Sequence, residues 1–169
     1  MKAHAYSAIR VLAIDIASRG VGFALLEGPV TLVDWGFRNT RGKNSDSQCV
    51  AALGAMFAHY KPDALVLEEF NSRKPNRTIR VLKLINAFSD LANRNGVWVC
   101  PVSRRTVRAK FPSCTNKYDM ARNLVGRFPE LLPWCPPRRK IWMSEDSRIN
   151  IFDALGLACG YLAILAEEE

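Results

Sequence analysis

The segment VLAIDIASRGVGFALLE, residues 11–27, is the part of the sequence that most constrains the fold. Two apolar runs flank the turn sequence Ser18-Arg19-Gly20, which predicts antiparallel strands over Ile9 to Ile16 and Val21 to Glu27. Apolar residues at consecutive positions indicate strands that are buried on both faces of a sheet. The segment therefore predicts a central hairpin covered on both sides.

Asp15 is the one carboxylate inside the first of these strands. Burying an unpaired carboxylate is costly, so the residue needs a cation or a dense set of hydrogen-bond donors beside it. The alternative interpretation is an aspartate at the strand end that caps the turn at residues 17–20. Both interpretations are open at this point.

The remaining sequence alternates between strand and helix patterns. It predicts three further strands over residues 30–37, 64–70 and 97–102. It predicts helices over residues 47–60 and 77–93, two short helices over 103–110 and 116–128, and a closing helix over 146–166. Three antiparallel strands followed by helices and parallel strands predict an α/β fold with a mixed five-stranded sheet and helices on both faces. No repeat or long linker divides the chain, so we expect a single domain over residues 1–169.

The charge of the chain points to a polyanionic partner. Lysine and arginine number 24 against 16 acidic residues, giving a net charge of +8 and a pI near 9.5. Between residues 71 and 110 the only acid is Asp90, whereas ten residues are basic: Arg73, Lys74, Arg77, Arg80, Lys83, Arg94, Arg104, Arg105, Arg108 and Lys110. A solvated surface normally mixes both signs, so this stretch favours nucleic-acid binding.

The cysteines and the N-terminus bear on the location of the protein. Five cysteines without a CxxC pair suggest neither a zinc site nor a disulfide framework, and they favour thiols in a reducing compartment. The first residues lack the apolar core of a signal peptide, and we expect no membrane span. These features predict a cytoplasmic protein, with a bacterial or phage source.

Several oxygen-bearing side chains are placed to meet at one end of the sheet. Asp15 and Glu68 lie near the carboxyl ends of predicted strands, where sites gather in α/β sheets. Asp146, Asn150 and Asp153 are spaced i, i+4 and i+7, which predicts one face of the closing helix. Together they predict a hard-cation site that handles phosphates. Asp146 has a second interpretation, as the N-cap of that helix.

The order of these motifs resembles the RuvC-type Holliday junction resolvases of the ribonuclease H-like nuclease superfamily. AIDIASRGVGFALLE is similar to the first-strand motif of that family, KPDALVLEEF to the second motif, and NIFDALGLACGYL to the closing helix. PVSRRTVRAKF and TNKYDMARNLVGRFP resemble its basic segment. The resemblance covers nearly the whole chain and implies a structure-selective DNA endonuclease that resolves four-way junctions.

The resemblance implies a role for each acidic position. Asp15, Glu68 and Asp153 match the metal ligands of the family, and two Mg²⁺ or Mn²⁺ ions per active site are implied. The fourth acidic position of the family falls on Asn150, which offers an oxygen without a charge. Asp146 could compensate, or Asn150 could act through water. The implied products are a 5′-phosphate and a 3′-hydroxyl.

The resemblance also implies roles for basic and aromatic residues. Lys117 and Arg108 match the lysines near the scissile phosphate, although either is otherwise an ordinary exposed helix cation. Phe70 resembles the aromatic residue that contacts bases at the junction centre, and core packing is its alternative. A homodimer is implied, because a junction with two-fold symmetry is cut by paired nicks. The predicted nucleic-acid-binding residues are Phe70, Arg73, Lys74, Arg77, Arg80, Arg104, Arg105, Arg108, Lys110 and Lys117.

Three other functions use the same sequence features. A related nuclease acting on RNA ends, forks, flaps or RNA–DNA hybrids would share the acids. A non-catalytic protein that binds branched DNA would have lost metal affinity through Asn150. An ATPase related to actin and sugar kinases also begins with an aspartate-bearing hairpin, but the absence of a Gly-rich adenosine segment in the sequence disfavours it.

Overall fold

The structure is a computed structural model that describes residues 8–40, 42–69 and 79–168. Its five strands are β1 (Arg10–Ile16), β2 (Gly20–Glu27), β3 (Thr31–Asn39), β4 (Ala64–Glu68) and β5 (Trp98–Val102). They form one sheet in the order β3-β2-β1-β4-β5. The first three strands pair antiparallel, whereas β4 pairs parallel to both β1 and β5. The mixed sheet predicted from the sequence is therefore confirmed.

Helices cover both faces of this sheet. They are α1 (Ser45–Tyr60), α2 (Ile79–Arg94), α3 (Arg104–Lys110), α4 (Lys117–Arg127) and α5 (Ile149–Glu167), with a 3-10 helix at Pro129–Trp134. Residues of α1 and α2 pack against one face, and residues of α3, α4 and α5 pack against the other. The three-layer architecture explains why the central strands are apolar at consecutive positions.

The alternation of side chains along β1 decides where Asp15 points. Leu12 and Ile14 belong to the core beneath α1 and α2, whereas Val11 and Ala13 belong to the core beneath α5. Because successive side chains point to opposite faces, Asp15 lies on the α5 side of the sheet. Glu68 lies on that side of β4 for the same reason, since Val66 packs under α5.

The closing helix α5 is the main packing element on its face. Twelve of its residues are buried, and it packs against β1 and β2. By length and composition it is apolar enough to cross a membrane, and 67% of its apolar window is buried inside the protein. The apolar character of α5 is therefore explained by its place in the core.

Small residues on α5 let two short helices approach it closely. A Cβ atom added at Gly160 would lie 3.3 Å from Val107 of α3, and one added at Gly156 would lie 3.1 Å from the sulfur of Met120 in α4. Contacts this short leave little room for a larger side chain. The glycines thus seat α3 and α4 on α5, next to the ends of β1 and β4.

Candidate active site

Three carboxylates line one cleft of about 640 Å³ at the carboxyl ends of β1 and β4. Ile14 pairs with Leu67 in the parallel register, so the next residues, Asp15 and Glu68, lie side by side. Asp153 reaches the same cleft from α5. The structure therefore brings together the three acids that the sequence placed on two strands and a helix.

Basic side chains form the opposite wall of this cleft. Arg104 Nε donates a hydrogen bond to Glu68 Oε1 at 2.8 Å, and Arg104 Nη2 lies 3.9 Å from Asp15 Oδ1. Lys117 Nζ lies 2.9 Å from Asp153 Oδ2 and donates to Glu145 Oε1 at 2.7 Å. Each acid thus has a cation beside it, which offsets part of the cost of burying it.

Local sequence fixes the positions of the two cations. Arg104 and Lys117 are the first residues of α3 and α4. Ser103 caps α3 by accepting from the Thr106 backbone N–H at 3.0 Å, and Asn116 caps α4 by accepting from the Asp119 N–H at 2.9 Å. Caps of this kind set where a helix begins, so they aim both N-termini at the cleft.

Burial and mutual repulsion perturb the acids. Burial raises the pKa of Asp15 to about 7, with repulsion from Asp153 adding to the effect and the Arg104 guanidinium opposing it. Burial also raises the pKa of Asp153, and Lys117 opposes that shift. Burial is the larger cause in both cases, so without a bound cation the cleft favours the protonated form of these two acids.

The two cations respond in the complementary direction. Burial alone would lower the pKa of Arg104, but its hydrogen bond to Glu68 and the nearby acids raise the pKa overall. Burial opposes protonation of Lys117 too, but the charge of Asp153 raises the pKa of this amine. Both side chains are therefore positively charged at neutral pH.

The fit of these residues to a divalent metal can be tested on the structure. Within residues 8–40, 42–69 and 79–168, no three Asp, Glu, His or Cys side chains come close enough to hold a metal together. Asp153 Oδ2 is fully buried, and Lys117 Nζ lies 2.9 Å from it. Burial raises the pKa of Asp15, so its carboxylate gains if a cation binds beside it. Carboxylate oxygens are the donors that a hard divalent cation prefers, so the residue types of the cleft fit such an ion.

Two residues of the predicted cation site, Asp146 and Asn150, are not among the residues that line the acidic cleft. The prediction that α5 begins at Asp146 is wrong, because residues 146–149 form a turn in which the Ile149 N–H donates to the Asp146 carbonyl at 3.0 Å. The Asp146 carboxylate accepts from Arg148 Nη2 at 2.7 Å and lines a second cleft. Asn150 is buried against Gly22 and is not among the residues that line the acidic cleft.

The predicted nucleic-acid-binding residues divide into three groups. Arg104, Arg108 and Lys117 line the acidic cleft. Arg80 donates to Asp46 and to the Ser18 carbonyl, and Lys110 pairs with Glu167, whereas Arg105 is exposed on α3. The remaining four lie outside the described residues: Phe70, Arg73, Lys74 and Arg77.

The sequence reasoning did not foresee two parts of the site. It treated Arg104 as a phosphate contact and missed its hydrogen bond to Glu68. It also missed Glu145, which accepts a hydrogen bond from Lys117. Glu145 stands between Ser144 and Asp146 in a loop, and no pattern of spacing connects it to Lys117.

No protein-family model matches the sequence, and no curated protein matches it. Among solved structures, Thermus thermophilus RuvC in complex with a Holliday junction substrate superposes with a TM-score of 0.71 at 19% identity, over 95% of this chain and 96% of the other. The chain has the fold of a RuvC-type resolvase.

Two further structures share this RuvC-type fold. The yeast mitochondrial Holliday junction resolvase matches with a TM-score of 0.65 at 17% identity, over 96% of this chain and 81% of that one. The Fowlpox virus resolvase in complex with Holliday junction DNA matches with a TM-score of 0.53 at 14% identity, over 93% and 99% of the two chains. The resemblance that the sequence motifs indicated is confirmed at the level of the fold.

Proposed function

We propose that this protein is a structure-selective DNA endonuclease that resolves four-way junctions. The proposed reaction is metal-dependent hydrolysis of phosphodiester bonds, leaving a 5′-phosphate and a 3′-hydroxyl. The observation that carries the proposal is the convergence of Asp15, Glu68 and Asp153 in one cleft with a basic wall. The RuvC-type fold around that cleft supports a junction as the substrate, because two of the similar structures hold Holliday junction DNA.

The acids are the residues that would hold the metal. We propose Asp15, Glu68 and Asp153, which line the cleft, as ligands of two Mg²⁺ or Mn²⁺ ions. Asn150 lies outside this lining, three residues before Asp153 in the first turn of α5, and its role as a neutral oxygen donor is a separate prediction. When bound, such ions make water a stronger nucleophile and stabilise the charge of the leaving oxygen. Arg104 contacts both Glu68 and Asp15, so a metal bound by these two acids would have to displace its guanidinium or bind beside it.

The cations of the cleft have their own part in the proposed reaction. Negative charge builds on the phosphoryl oxygens in the transition state, and a fixed positive charge lowers the barrier if it lies close by. Lys117 and Arg108 both line the cleft, and Lys117 is held by Asp153 and Glu145. A guanidinium can contact two phosphate oxygens, so Arg108 would orient the phosphate while Lys117 neutralises it.

We also propose that the active form is a homodimer. A four-way junction has two-fold symmetry, and a dimer of the same symmetry presents two clefts to two equivalent strands. Helix α2 offers apolar surface for such an interface, since Ile79 is 72% exposed while Phe88 on the same helix is fully buried. Sedimentation equilibrium of the purified protein, with and without a junction, tests the proposed stoichiometry.

The decisive experiment is cleavage of a labelled synthetic four-way junction in Mg²⁺ or Mn²⁺. Linear duplex, a replication fork and an RNA–DNA hybrid serve as controls, and Asp15→Asn is compared with wild type. We expect symmetric, ligatable nicks that are confined to the junction. We expect Asp15→Asn to abolish cleavage while junction binding persists.

Two other outcomes would replace the proposal with an alternative. Cleavage mainly of the fork or the hybrid would assign the site to a related nuclease of different specificity. Tight, salt-dependent junction binding with no cleavage at any metal concentration would assign the chain to the class of non-catalytic DNA-binding proteins.

A further inference from the structure

A turn next to the acidic cleft presents apolar side chains to solvent. The Met143 N–H donates to the Lys140 carbonyl at 3.0 Å, and Arg139 Nε donates to the Met143 carbonyl at 2.7 Å. These two bonds close residues 139–143 into a defined turn with Ile141 and Trp142 at its tip. Ile141 is 99% exposed and Trp142 is 78% exposed.

Exposure of an indole on a preformed turn requires a physical reason. Tryptophan is among the largest apolar side chains, and folding normally removes most of its surface from water. Lys140 Nζ lies 5.4 Å from the ring centroid in a cation–π arrangement. The ring is thus held in place by a cation while most of its surface stays available for stacking.

The turn is continuous with the proposed catalytic cleft. Arg139 Nη1 lies 4.0 Å from Glu145, Glu145 accepts from Lys117, and Lys117 contacts Asp153. Asn116 and Lys117 line both the acidic cleft and a second cleft of about 650 Å³ that Arg138 and Arg139 help to form. The two clefts therefore adjoin at Lys117, and Trp142 lies on the turn between Arg139 and Met143, which both line the second cleft.

The charge of this segment selects the kind of partner. The sequence places three cations directly before two apolar residues, in the run Arg138-Arg139-Lys140-Ile141-Trp142, so a stacking surface adjoins positive charge. Single-stranded nucleic acid is bound by this combination, because the phosphates contact the cations and the bases stack on aromatic rings. A membrane surface or a protein partner would also accept a tryptophan, but neither explains the continuity with a cleft built to hold phosphate.

We propose that residues 138–143 form a binding site for unpaired nucleotides of the DNA substrate, in which a base stacks on Trp142 and Arg138 and Lys140 contact the adjoining phosphates. The proposal rests on the proposed nuclease function and extends it. Base pairs at the branch point of a DNA junction lack the continuous stacking of a duplex, so their bases unpair more readily. The site would therefore contribute to selection of branched over linear DNA.

The test compares Trp142→Ala, Trp142→Phe and Trp98→Ala with wild type. Trp98 is a matched control, since its side chain is 74% exposed at the start of β5, the end of the sheet opposite the acids. Binding of a fluorescent thymidine oligonucleotide of about ten nucleotides is measured by anisotropy in EDTA, so that no cleavage occurs. Junctions with and without unpaired thymines at the branch point form a second pair of probes.

We expect Trp142→Ala to bind the oligonucleotide about 5- to 150-fold more weakly than wild type, which is the effect of losing one aromatic–base stack. Trp142→Phe should retain most of the affinity, and Trp98→Ala should be unchanged. Arg138→Gln should reduce the slope of log affinity against log salt by about 0.7, the value for one phosphate contact on a single strand. Thermal unfolding of each variant checks that the fold is intact.

The failure of this inference is distinct from failure of the proposed function. If wild type cuts junctions while Trp142→Ala binds every probe as wild type does, the binding site is wrong and the nuclease stands. Equal losses in Trp142→Ala and Trp98→Ala would also overturn the inference. So would a Trp142→Ala defect confined to vesicle binding or to dimerisation, because it would assign the turn to a membrane or a protein partner. If wild type cuts nothing, the oligonucleotide measurement still decides whether the turn binds unpaired bases.

Discussion

A Cβ atom built on Gly22 would lie 2.3 Å from the backbone oxygen of Asn150, so β2 and the first turn of α5 meet through a glycine. Gly22 is also the residue opposite Asp15 in the β1–β2 pair. The position therefore sets how closely α5 approaches the strand that carries Asp15. It couples the packing of the core to the separation of Asp15 and Asp153.

Gly22→Ala should both destabilise the protein and impair catalysis. An added methyl group at 2.3 Å from backbone atoms forces α5 to move, which costs about 1–3 kcal/mol of unfolding free energy. A shift of about 1 Å in the acids would lower the cleavage rate about 100-fold. Urea denaturation and single-turnover junction cleavage measure the two effects.

Gly54→Ala is the matched control for that substitution. Its Cβ atom would lie 3.8 Å from Leu91, an ordinary contact, and Gly54 lies inside α1. We expect this variant to be more stable than wild type by about 0.5–1 kcal/mol, because glycine is unfavourable within a helix. Wild-type cleavage by a stable Gly22→Ala protein would show that the seating of α5 does not position the acids.

Asp15→Asn should change how stability depends on pH in EDTA. The pKa of Asp15 is raised by folding from an ordinary value of 3.8 to about 7, so the folded state favours the protonated acid. Its contribution to stability is full below pH 4 and is lost as the pH rises through 7. Asp15→Asn lacks this loss. Its free energy of unfolding at pH 8 should therefore exceed that of wild type by up to about 4 kcal/mol, since each pKa unit is worth about 1.4 kcal/mol.

Denaturation curves at pH 4, 6 and 8 measure this difference. Asp90→Asn, on the exposed side of α2, is the control and should follow wild type at each pH. Equal stability of Asp15→Asn and wild type across that range would mean that folding does not raise the pKa of Asp15, because Arg104 offsets the effect of burial.

Much of the fold was predictable because the signals are local. The apolar run of β1 and β2 and the turn at residues 18–20 define the hairpin without any knowledge of what covers it. Asp15 and Glu68 could be paired from sequence, because parallel strands carry their carboxyl ends to the same edge of a sheet. The helical spacing of Asp153 then supplied the third acid.

The errors arise where several local signals compete or where distant elements meet. Three residues near the start of α5 are of types that cap helices: Ser144, Asp146 and Ser147. The start of α5 could therefore not be fixed from the sequence, and the predicted helix begins at Asp146 whereas α5 begins at Ile149. The hydrogen bond from Arg104 to Glu68 joins residues 36 positions apart on different elements. Spacing along one segment carries no information about such a pair.

Arg104→Gln should change how the protein responds to metal. The guanidinium lies against Glu68 and Asp15, so its removal leaves the acids with less compensation. The Arg104 side chain is 40% exposed, and the loss of stability in EDTA is therefore modest, about 1 kcal/mol. We expect saturating Mg²⁺ or Mn²⁺ to raise the melting temperature of Arg104→Gln more than that of wild type, because the metal no longer competes with a resident cation.

Arg105→Gln is the control for that experiment, since Arg105 is the exposed neighbour in the same helix turn. Its melting temperature should respond to metal as wild type does. A smaller metal response in Arg104→Gln than in wild type would mean that Arg104 helps the acids bind the metal instead of competing with it.

Asn150→Asp tests whether the neutral residue at this place limits metal affinity. Asn150 precedes Asp153 by three residues, so the two side chains are neighbours on α5, and Asn150 is only 7% exposed. A carboxylate there adds a fourth negative charge, which should cost about 1–3 kcal/mol of stability in EDTA at pH 8. It should also lower the Mg²⁺ concentration for half-maximal thermal stabilisation by roughly tenfold, equivalent to about 1.4 kcal/mol.

Asn150→Ala is the control, because it removes the amide without adding charge and should require at least as much Mg²⁺ as wild type. A destabilised Asn150→Asp protein that Mg²⁺ does not rescue would mean that this position points away from the metal, and that the chain relies on Asp15, Glu68 and Asp153 alone.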